Sequence, residues 1–507
     1  MQNSDIKVKS IKFTELNEQQ GEISFMVKAE QAEMLSDQSI TLFADESFIN
    51  TDALENKLCE ITEEYFEKGR LSGAANTIIN QTNPQFKSTD SPLPISRHRY
   101  PDDTEYLNAI ISTIQAMDNS CLCIQGPPGS GKSFTAKHVI SALVKQGKRI
   151  GIMSNSHAAI LHLLTSVIKE LPDSNIAKVG GFKTQEIFKE TYPAEQYPNF
   201  YYRGGMSFTN SQPYQSFSVI GATAYAFVKE VVHEDPLDYL FVDEASQVAL
   251  ANLIAISGAT KNIVLMGDQM QLEQPIQGSH PGNSGASALE FMLKGHAVIP
   301  EEKGIFLERT YRMHPAVCQP LSEVVYEGKL TADKDNKNQA INIDNPKYIA
   351  QQNGILSIPV NHEGNTQSSE EEVAIVQQLI DELKTGTFTN KQGKQSPITG
   401  KDILIVAPYN MQVNLLKEKL GEDLKIGTID KFQGQEAPVV IISMAVSDVE
   451  DSSRGLGFVF DINRLNVAIS RAQALAIVVA NEGLENCHVT GLEQMEKVGF
   501  FTELIMR

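Results

Sequence analysis

A chain of 507 residues is too long for one compact domain; at ~100 to 200 residues each, three or four are expected. Its composition, 41% hydrophobic and 21% charged, is that of a globular protein and excludes a disordered or collagen-like chain. Acids outnumber Lys plus Arg by 63 to 43, and the resulting net charge of −20 argues against indiscriminate coating of nucleic acid or anionic membrane, while leaving room for a local basic groove.

The first 95 residues hold 16 acids against 8 bases, so acidity is spread along the chain rather than held in one tail. Strands are expected over residues 6–13 and 40–43, and where Ile23, Phe25 and Val27 alternate with Ser24, Met26 and Lys28. Leu54, Leu58, Ile61 and Tyr65 then fall on one face of a helix capped by Thr51 and Asp52. Pro84, Pro92 and Pro94 punctuate the exit from this unit, which is expected to span residues 1–95.

From about Arg97 the pattern becomes short apolar runs, each followed by a loop and a helical stretch, as in a parallel sheet buried on both faces. Runs at 121–124, 149–153, 219–220, 239–242 and 262–266 predict a first α/β domain over 96–300. Runs at 305–307, 403–407, 425–427, 439–443 and 475–480 predict a second over 301–485. Residues 172–217 read as an insertion, 331–348 as a mobile polar loop and 486–507 as a tail. The acidic run Glu370 to Glu372 reads as the first turn of a helix capped by Ser368 or Ser369.

The five cysteines, Cys59, Cys121, Cys123, Cys318 and Cys487, contain no CxxC pair, so neither a zinc ribbon nor a cysteine-held iron–sulfur cluster is indicated. No apolar run reaches the ~18 residues of a membrane span, and the start at Met1 lacks the apolar core of a signal peptide. A reduced, soluble, cytoplasmic protein with no membrane partner is the simplest reading.

Gly126-Pro127-Pro128-Gly129-Ser130-Gly131-Lys132-Ser133 satisfies GxxxxGK[ST] in full, between the strand at 121–124 and a helical stretch at 134–144. Such a turn converges backbone N–H groups on triphosphate oxygens, with the lysine on the β/γ-phosphates and the hydroxyl on magnesium. Asp243 and Glu244 close the run at 239–242, where a P-loop NTPase needs a magnesium carboxylate and a carboxylate that orients water. Two acids ending a strand are by themselves more often a solvated strand end; the P-loop upstream changes their weight. Gly267 and Asp268 end the next run, and the amide of Gln271 follows, suited to sensing a γ-phosphate.

Together these residues resemble the superfamily I helicases of the up-frameshift and senataxin-like group. Asp243-Glu-Ala-Ser-Gln247 is similar to that group's motif II and Gly267-Asp-Gln-Met-Gln-Leu272 to its motif III. Leu307-Glu-Arg-Thr-Tyr-Arg-Met-His-Pro315 with Tyr326-Glu-Gly-Lys-Leu330 resembles the segment that opens its second RecA-like domain. Gly427-Thr-Ile-Asp-Lys-Phe-Gln-Gly-Gln-Glu436 resembles motif V, and Arg464-Leu-Asn-Val-Ala-Ile-Ser-Arg471 motif VI. Within the group, Ser154-Asn-Ser-His157, Gln277-Gly-Ser-His-Pro281, the stretch from Val360 to Ser369 and Arg454-Gly-Leu-Gly-Phe458 resemble the helicase half of bacterial RecB-like nuclease-helicase fusions. The first 95 residues show no acid–lysine core, so no nuclease activity is expected of this chain.

The resemblance implies an α/β fold with two tandem RecA-like P-loop domains, preceded by a small β unit and stalk helices. It implies ATP and Mg2+, with Lys132 and Ser133 on phosphate and metal, Asp243 on the metal and Glu244 activating water. Gln271 would report the γ-phosphate, Tyr311 stack on the base and Glu436 contact the ribose. Arg312 and Arg471 would reach the γ-phosphate from the second domain, which would make hydrolysis require closure. The lesser alternative for Tyr311 is core packing, while Arg464 reads as readily as a salt-bridged structural residue as a phosphate ligand. Single-stranded nucleic acid, DNA favoured, would cross both domains past Ser156 or His157, Thr223, Pro408 and Thr428, with translocation 5′ to 3′. Lys169, Lys178, Lys183, Lys431 and Arg97-His-Arg99 could line the groove, although each reads as readily as a solvated surface charge. A nuclease or loading protein could act in trans.

Two departures stand out. Residues 106–111, where the group presents an adenine-reading glutamine, contain none, and Gln473 replaces a second motif VI arginine found in many relatives. A different class of function also fits the charge: an ATPase switch that signals to a partner protein through closure without unwinding.

Overall fold

The computed structural model describes residues 12–17, 22–26, 50–71, 73–181, 189–272, 282–421, 423–432, 434–448, 455–486, 489 and 491–505. Lys183, the 277–281 motif, Arg454 and Cys487 therefore lie outside the described residues. The chain divides into two units, 1–51 and 52–507. In the first, Lys12–Asn17 and Glu22–Met26 pair antiparallel, with Ile23 and Phe25 on the second strand as their alternation predicts. The strand expected over 40–43 falls outside the described residues.

The second unit begins with helices Asp52–Lys68 and Gly73–Ile79. Leu54 is buried, Leu58 and Ile61 pack on the same core, and Tyr65 is 46% exposed, so the apolar stripe is real but ends a turn early. These helices pack on Leu250–Ile256 and Thr260–Gly267. That contact corrects the expected 1–95 boundary: the stalk helices cluster with the large unit.

An eight-stranded, wholly parallel sheet forms the first half of this unit. Its order is Gly304–Phe306, Cys121–Gln125, Thr260–Gly267, Leu237–Val242, Ile150–Met153, Val219–Ala222, Ile176–Val179, Phe200–Arg203. Cys121 and Cys123 face one core cluster while Leu122 and Ile124 face another, so helices cover both faces and the strand can be apolar throughout. Two expectations change here. Gly304–Phe306, assigned by sequence to the second domain, is an edge strand of the first sheet, and residues 172–217 supply two of its strands rather than an insertion.

A five-stranded parallel sheet forms the other half, in the order Gly354–Pro359, Ala472–Ala480, Ala437–Ser443, Ile403–Ala407, Lys425–Thr428. Leu404 and Val406 share a core cluster with the first sheet, while Ile403, Ile405 and Ala407 face a separate one. The two sheets are the arrangement of tandem RecA-like domains. Glu370–Leu383 is a helix whose N-cap Ser369 accepts from Glu372 N, as its acidic first turn predicts.

The polar stretch 331–348 is built into the fold. Asn336, fully buried, donates to the carbonyls of Thr310 and Met313, and Gln339 donates to those of Arg312 and Gln473. Its polarity serves to satisfy backbone acceptors rather than to meet solvent. The expected tail carries the helix Leu492–Ile505, with Phe501 buried against Phe460, ring centroids 4.7 Å apart. Among the described residues, no helix is long and apolar enough to cross a membrane.

Candidate nucleotide site and strand groove

Every polar site residue of the first sheet follows the carboxyl end of a parallel strand, where backbone groups and loop side chains are free to meet a ligand. Residues 126–131 turn the chain from Cys121–Gln125 into the helix Lys132–Lys145, and Gly126 N donates to Gly267 O at 2.8 Å. Lys132 Nζ folds back onto Gly126 O at 2.6 Å, and Ser133 stands in the first turn of the helix. Ser130 Oγ is buried with no hydrogen-bond partner among the described residues, an acceptor and donor within the turn. Pro127 and Pro128 are buried, and Pro128 O accepts from Thr310 Oγ1 at 2.9 Å.

Gly129 shows why this turn demands glycine. Its φ is +72°, and a Cβ there would lie 2.5 Å from Arg312 Cβ and 2.7 Å from Thr310 Oγ1. Tyr311 N also donates to Gly129 O at 2.9 Å. Residues 310–312 thus lie directly against the turn.

Asp243, 7% exposed, and Glu244 follow Leu237–Val242. Burial and then the neighbouring Glu244 charge push the Asp243 carboxyl well above the usual carboxylate range, opposed by Lys132. A cation beside it would offset both causes, and the hard oxygens of Ser133 and Asp243 suit magnesium. Glu244 adopts a left-handed backbone, φ 53° and ψ 48°, an uncommon conformation for a side-chain-bearing residue that turns it out of the strand direction.

Residues of the second sheet reach the same place. Arg471, 5% exposed, feels the charges of Arg312, Glu244 and Glu436, and burial, with Arg312, lowers its pKa to about 10. Its Nη1 donates to Gln435 O, and its buried Nε has no hydrogen-bond partner among the described residues. Arg312 Nε pairs with Glu436 Oε2 at 2.6 Å and Nη1 donates to Ser470 O. Burial works against the Glu436 charge, but Arg312 and the Gln473 amide, 2.9 Å away, more than offset it and hold the carboxyl below its usual range. Gln473, marked in sequence as a departure, is therefore the second clamp on Glu436.

Tyr311 lines a cavity of about 400 Å3 beside the turn, with Tyr106, Leu107, Ile110, Phe134 and Arg97 among its walls. Tyr106 donates to Phe306 O, and Arg97 Nη2 donates to Tyr311 Oη at 3.1 Å while its guanidinium lies 4.1 Å over the Tyr106 ring. Among the described residues, neither an asparagine nor a glutamine lines this cavity.

Gln271 donates to Asp268 Oδ2 at 2.9 Å, which ties it into a buried network absent from the sequence reading. Tyr326 Oη donates to the same oxygen at 2.8 Å and accepts from Asn466 Nδ2 at 2.7 Å. Asn466 also donates to Met270 O, and Gln125 Nε2 to Asp268 Oδ1. The sequence signal was an asparagine interrupting the apolar run at 465–469, which the fold buries completely.

The strand candidates also sit at strand ends. Ser156 caps the helix His157–Glu170 after Ile150–Met153, Thr223 follows Val219–Ala222, Pro408 follows Ile403–Ala407 and Thr428 ends Lys425–Thr428. Ser156 is exposed and His157, Thr223, Pro408 and Thr428 are half-buried. Lys169 and Lys431 are exposed, but Lys178 is wholly buried, which overturns its reading as a surface charge. Arg97 is tied to Asp103 and Tyr311 at the cavity rather than to a groove. Among the described residues no cluster of His, Cys, Asp and Glu could hold a further metal.

Two family models, each described as an AAA domain, match residues 109–276 and 285–483. A regulator of nonsense transcripts 1 homolog from Arabidopsis thaliana is 25% identical, over 74% of this chain and 32% of its own length. The DNA replication ATP-dependent helicase/nuclease DNA2 of Gallus gallus is 24% identical, over 80% and 39%. The DNA polymerase alpha-associated DNA helicase A of Schizosaccharomyces pombe is 25% identical, over 71% and 60%. The chain thus spans about a third to three fifths of the length of these relatives. Among solved structures, the Arterivirus nonstructural protein 10 helicase aligns at TM-score 0.38 and 15% identity, over 71% of this chain and 59% of that one. The family models and the three relatives support a superfamily I helicase.

Proposed function

We propose that this chain hydrolyses ATP between its two sheets and uses closure of that site to move 5′ to 3′ along single-stranded DNA. The observation that carries the reading is the approach of the two halves at the phosphate turn and the acids beside it: Arg312 packs on Gly129 while its guanidinium is held by Glu436 and Ser470 O, and Arg471 feels the Glu244 charge. Residues from both halves must therefore meet for the site to be complete, which ties chemistry to relative movement.

Lys132 and the backbone N–H groups of Gly129 and of Gly131 to Ser133 would hold the β- and γ-phosphates, and Ser133 and Asp243 would hold magnesium, which would neutralise charge on the phosphate oxygens. Glu244 orients the attacking water and takes its proton. Arg312 and Arg471 stabilise charge on the transferring phosphoryl group. Tyr311 stacks on the base; Glu436, with lone pairs to spare beyond Arg312 and Gln473, accepts a ribose hydroxyl. Gln271, fixed by Asp268, conveys the γ-phosphate's presence to the opposite sheet. The strand lies across Ser156, His157, Thr223, Pro408 and Thr428, gripped through phosphate and ribose. DNA is preferred over RNA because the Ser154 to His157 motif resembles nuclease-linked helicases, and a nuclease or loader acts in trans.

The test is ATP hydrolysis and strand displacement on tailed DNA and RNA of both polarities at low salt. Single-stranded DNA should raise turnover, and a 5′ tail should support displacement. No stimulation by any strand would replace this reading with that of a partner-regulated ATPase switch. Glu244→Gln should retain ATP binding and lose turnover by at least ~10²-fold, the range of a lost general base; undiminished hydrolysis would remove Glu244 from its role.

A further inference from the structure

Lys178 is among the largest wholly buried side chains, in the strand Ile176–Val179 between Val219–Ala222 and Phe200–Arg203. A buried ammonium is costly unless each N–H is satisfied. Here all three donors have acceptors: His157 Nδ1 at 2.9 Å, Val179 O at 3.0 Å and Gly180 O at 3.0 Å. Among the described residues no carboxylate is within ion-pair range. The charged and titratable neighbours among the described residues are His157 from the helix His157–Glu170 and Tyr202 from Phe200–Arg203, whose single hydroxyl proton is shared between Gly180 O and Gly181 O, 2.7 and 2.6 Å away. Val219–Ala222 contributes none.

An ammonium can only donate, so His157 Nδ1 must accept. The ring's own proton then sits on Nε2, and protonation at Nδ1 is blocked. The ring edge lies over Gly180, whose φ is +78° and where a Cβ would meet His157 Cε1 at 3.3 Å. A side chain there would press on the ring that Lys178 holds.

We propose that Lys178 is a positioning residue that keeps His157 neutral, with its proton on Nε2, as a fixed hydrogen-bond donor to a phosphate of the bound strand. The proposal rests on the strand reading of His157 given above. Two further observations fit it. Burial, with the Lys178 charge, depresses the His157 pKa, which keeps the ring neutral near pH 7. Burial lowers the Lys178 pKa to about 8, so its charge is present below that pH and is lost as pH rises through it.

Long-range 15N–1H correlation of histidine-labelled wild-type protein, without nucleic acid, should show His157 as the Nε2–H tautomer, unprotonated at neutral pH and titrating below an ordinary histidine. An Nδ1–H ring, or one titrating with an ordinary histidine pKa, overturns the proposal without reference to any variant. Fluorescence anisotropy with a labelled DNA single strand then tests the consequence. Lys178→Met should weaken binding by about tenfold at pH 7, the scale of one charge-assisted hydrogen bond, and adding His157→Ala should cost less than about twofold more. Wild-type affinity should fall as pH rises through about 8, and Lys178→Met should lose that fall. Unchanged affinity in Lys178→Met, or full additivity of the two substitutions, overturns it. A wild type that binds no strand would instead sink the translocase reading, which the tautomer measurement leaves independent.

Discussion

Tyr326→Phe removes a single oxygen from the junction between the two sheets, and its cost can be worked from the partners. The Tyr326 hydroxyl is fully buried, donates to Asp268 Oδ2 at 2.8 Å and accepts from Asn466 Nδ2 at 2.7 Å. Asp268, 1% exposed, keeps its bonds from Gln125, Gln271 and Met270 N, so its carboxylate loses one donor of several. That loss is worth ~1.5 to 3 kcal/mol, and the orphaned N–H of Asn466 adds ~1 to 3 kcal/mol. Allowing for overlap, unfolding free energy should fall by about 3 to 5 kcal/mol. The assay is equilibrium urea unfolding of wild type, Tyr326→Phe, Asn466→Ala and the double variant, followed by circular dichroism because the chain has no tryptophan. A coupling of at least ~1 kcal/mol between the two sites is expected, since they share one hydrogen bond. A loss below about 1 kcal/mol, or strict additivity, would refute the network as a joint between the sheets. Because Asp268 also fixes Gln271, the same variant should slow strand-stimulated turnover more than it raises the KM for ATP.

Arg471→Ala should lower kcat by ~10³-fold or more with nucleotide binding retained, as removal of a phosphate-facing arginine does; a loss under about tenfold would reassign it to structure. Gly129→Ala combines a left-handed φ with contacts of 2.5 and 2.7 Å, so nucleotide affinity should be lost while the fold survives; calorimetric ATP titration beside a melting curve checks both. Among the described residues, no Asn or Gln side chain lines the cavity beside Tyr311, the proposed base site, so it lacks the paired side-chain donor and acceptor that separates adenine from guanine. GTP should accordingly be hydrolysed with kcat/KM within about tenfold of ATP, and a larger gap in a steady-state assay would show discrimination from elsewhere in the site.

The nucleotide turn was legible because its signal is local. A strand, a glycine-rich loop and a helix follow one another within residues 121–145, and the chemistry of phosphate binding restricts each position. Asp243 and Glu244 were legible for the same reason: an apolar run ending in two acids encodes both strand and site. The apolar runs announced parallel sheets because a strand buried on both faces has no polar side to show. Which sheet a run joins is another matter. Gly304–Phe306 pairs with Cys121–Gln125 across some 180 residues, and nothing in three apolar residues records that partner.

Polar residues divide the same way. Nothing local distinguishes Lys178 from Lys169, yet one is buried under His157 and the other is exposed, because only the packed helix His157–Glu170 brings the imidazole over its strand. Asn336 and Gln339 made the stretch 331–348 look mobile, until the carbonyls they satisfy are seen to come from 310–313 and 473. By itself the sequence determined the phosphate-binding chemistry, the acids beside it and the parallel α/β class, all set by neighbours along the chain. Tertiary structure alone decided that Arg312 packs on that turn and that Arg471 comes within reach of the Glu244 charge, that Asp268, Tyr326 and Asn466 join the sheets, and that Lys178 is buried. Each of these depends on groups far apart in sequence, whose hydrogen bonds and charges exist only once the sheets have packed.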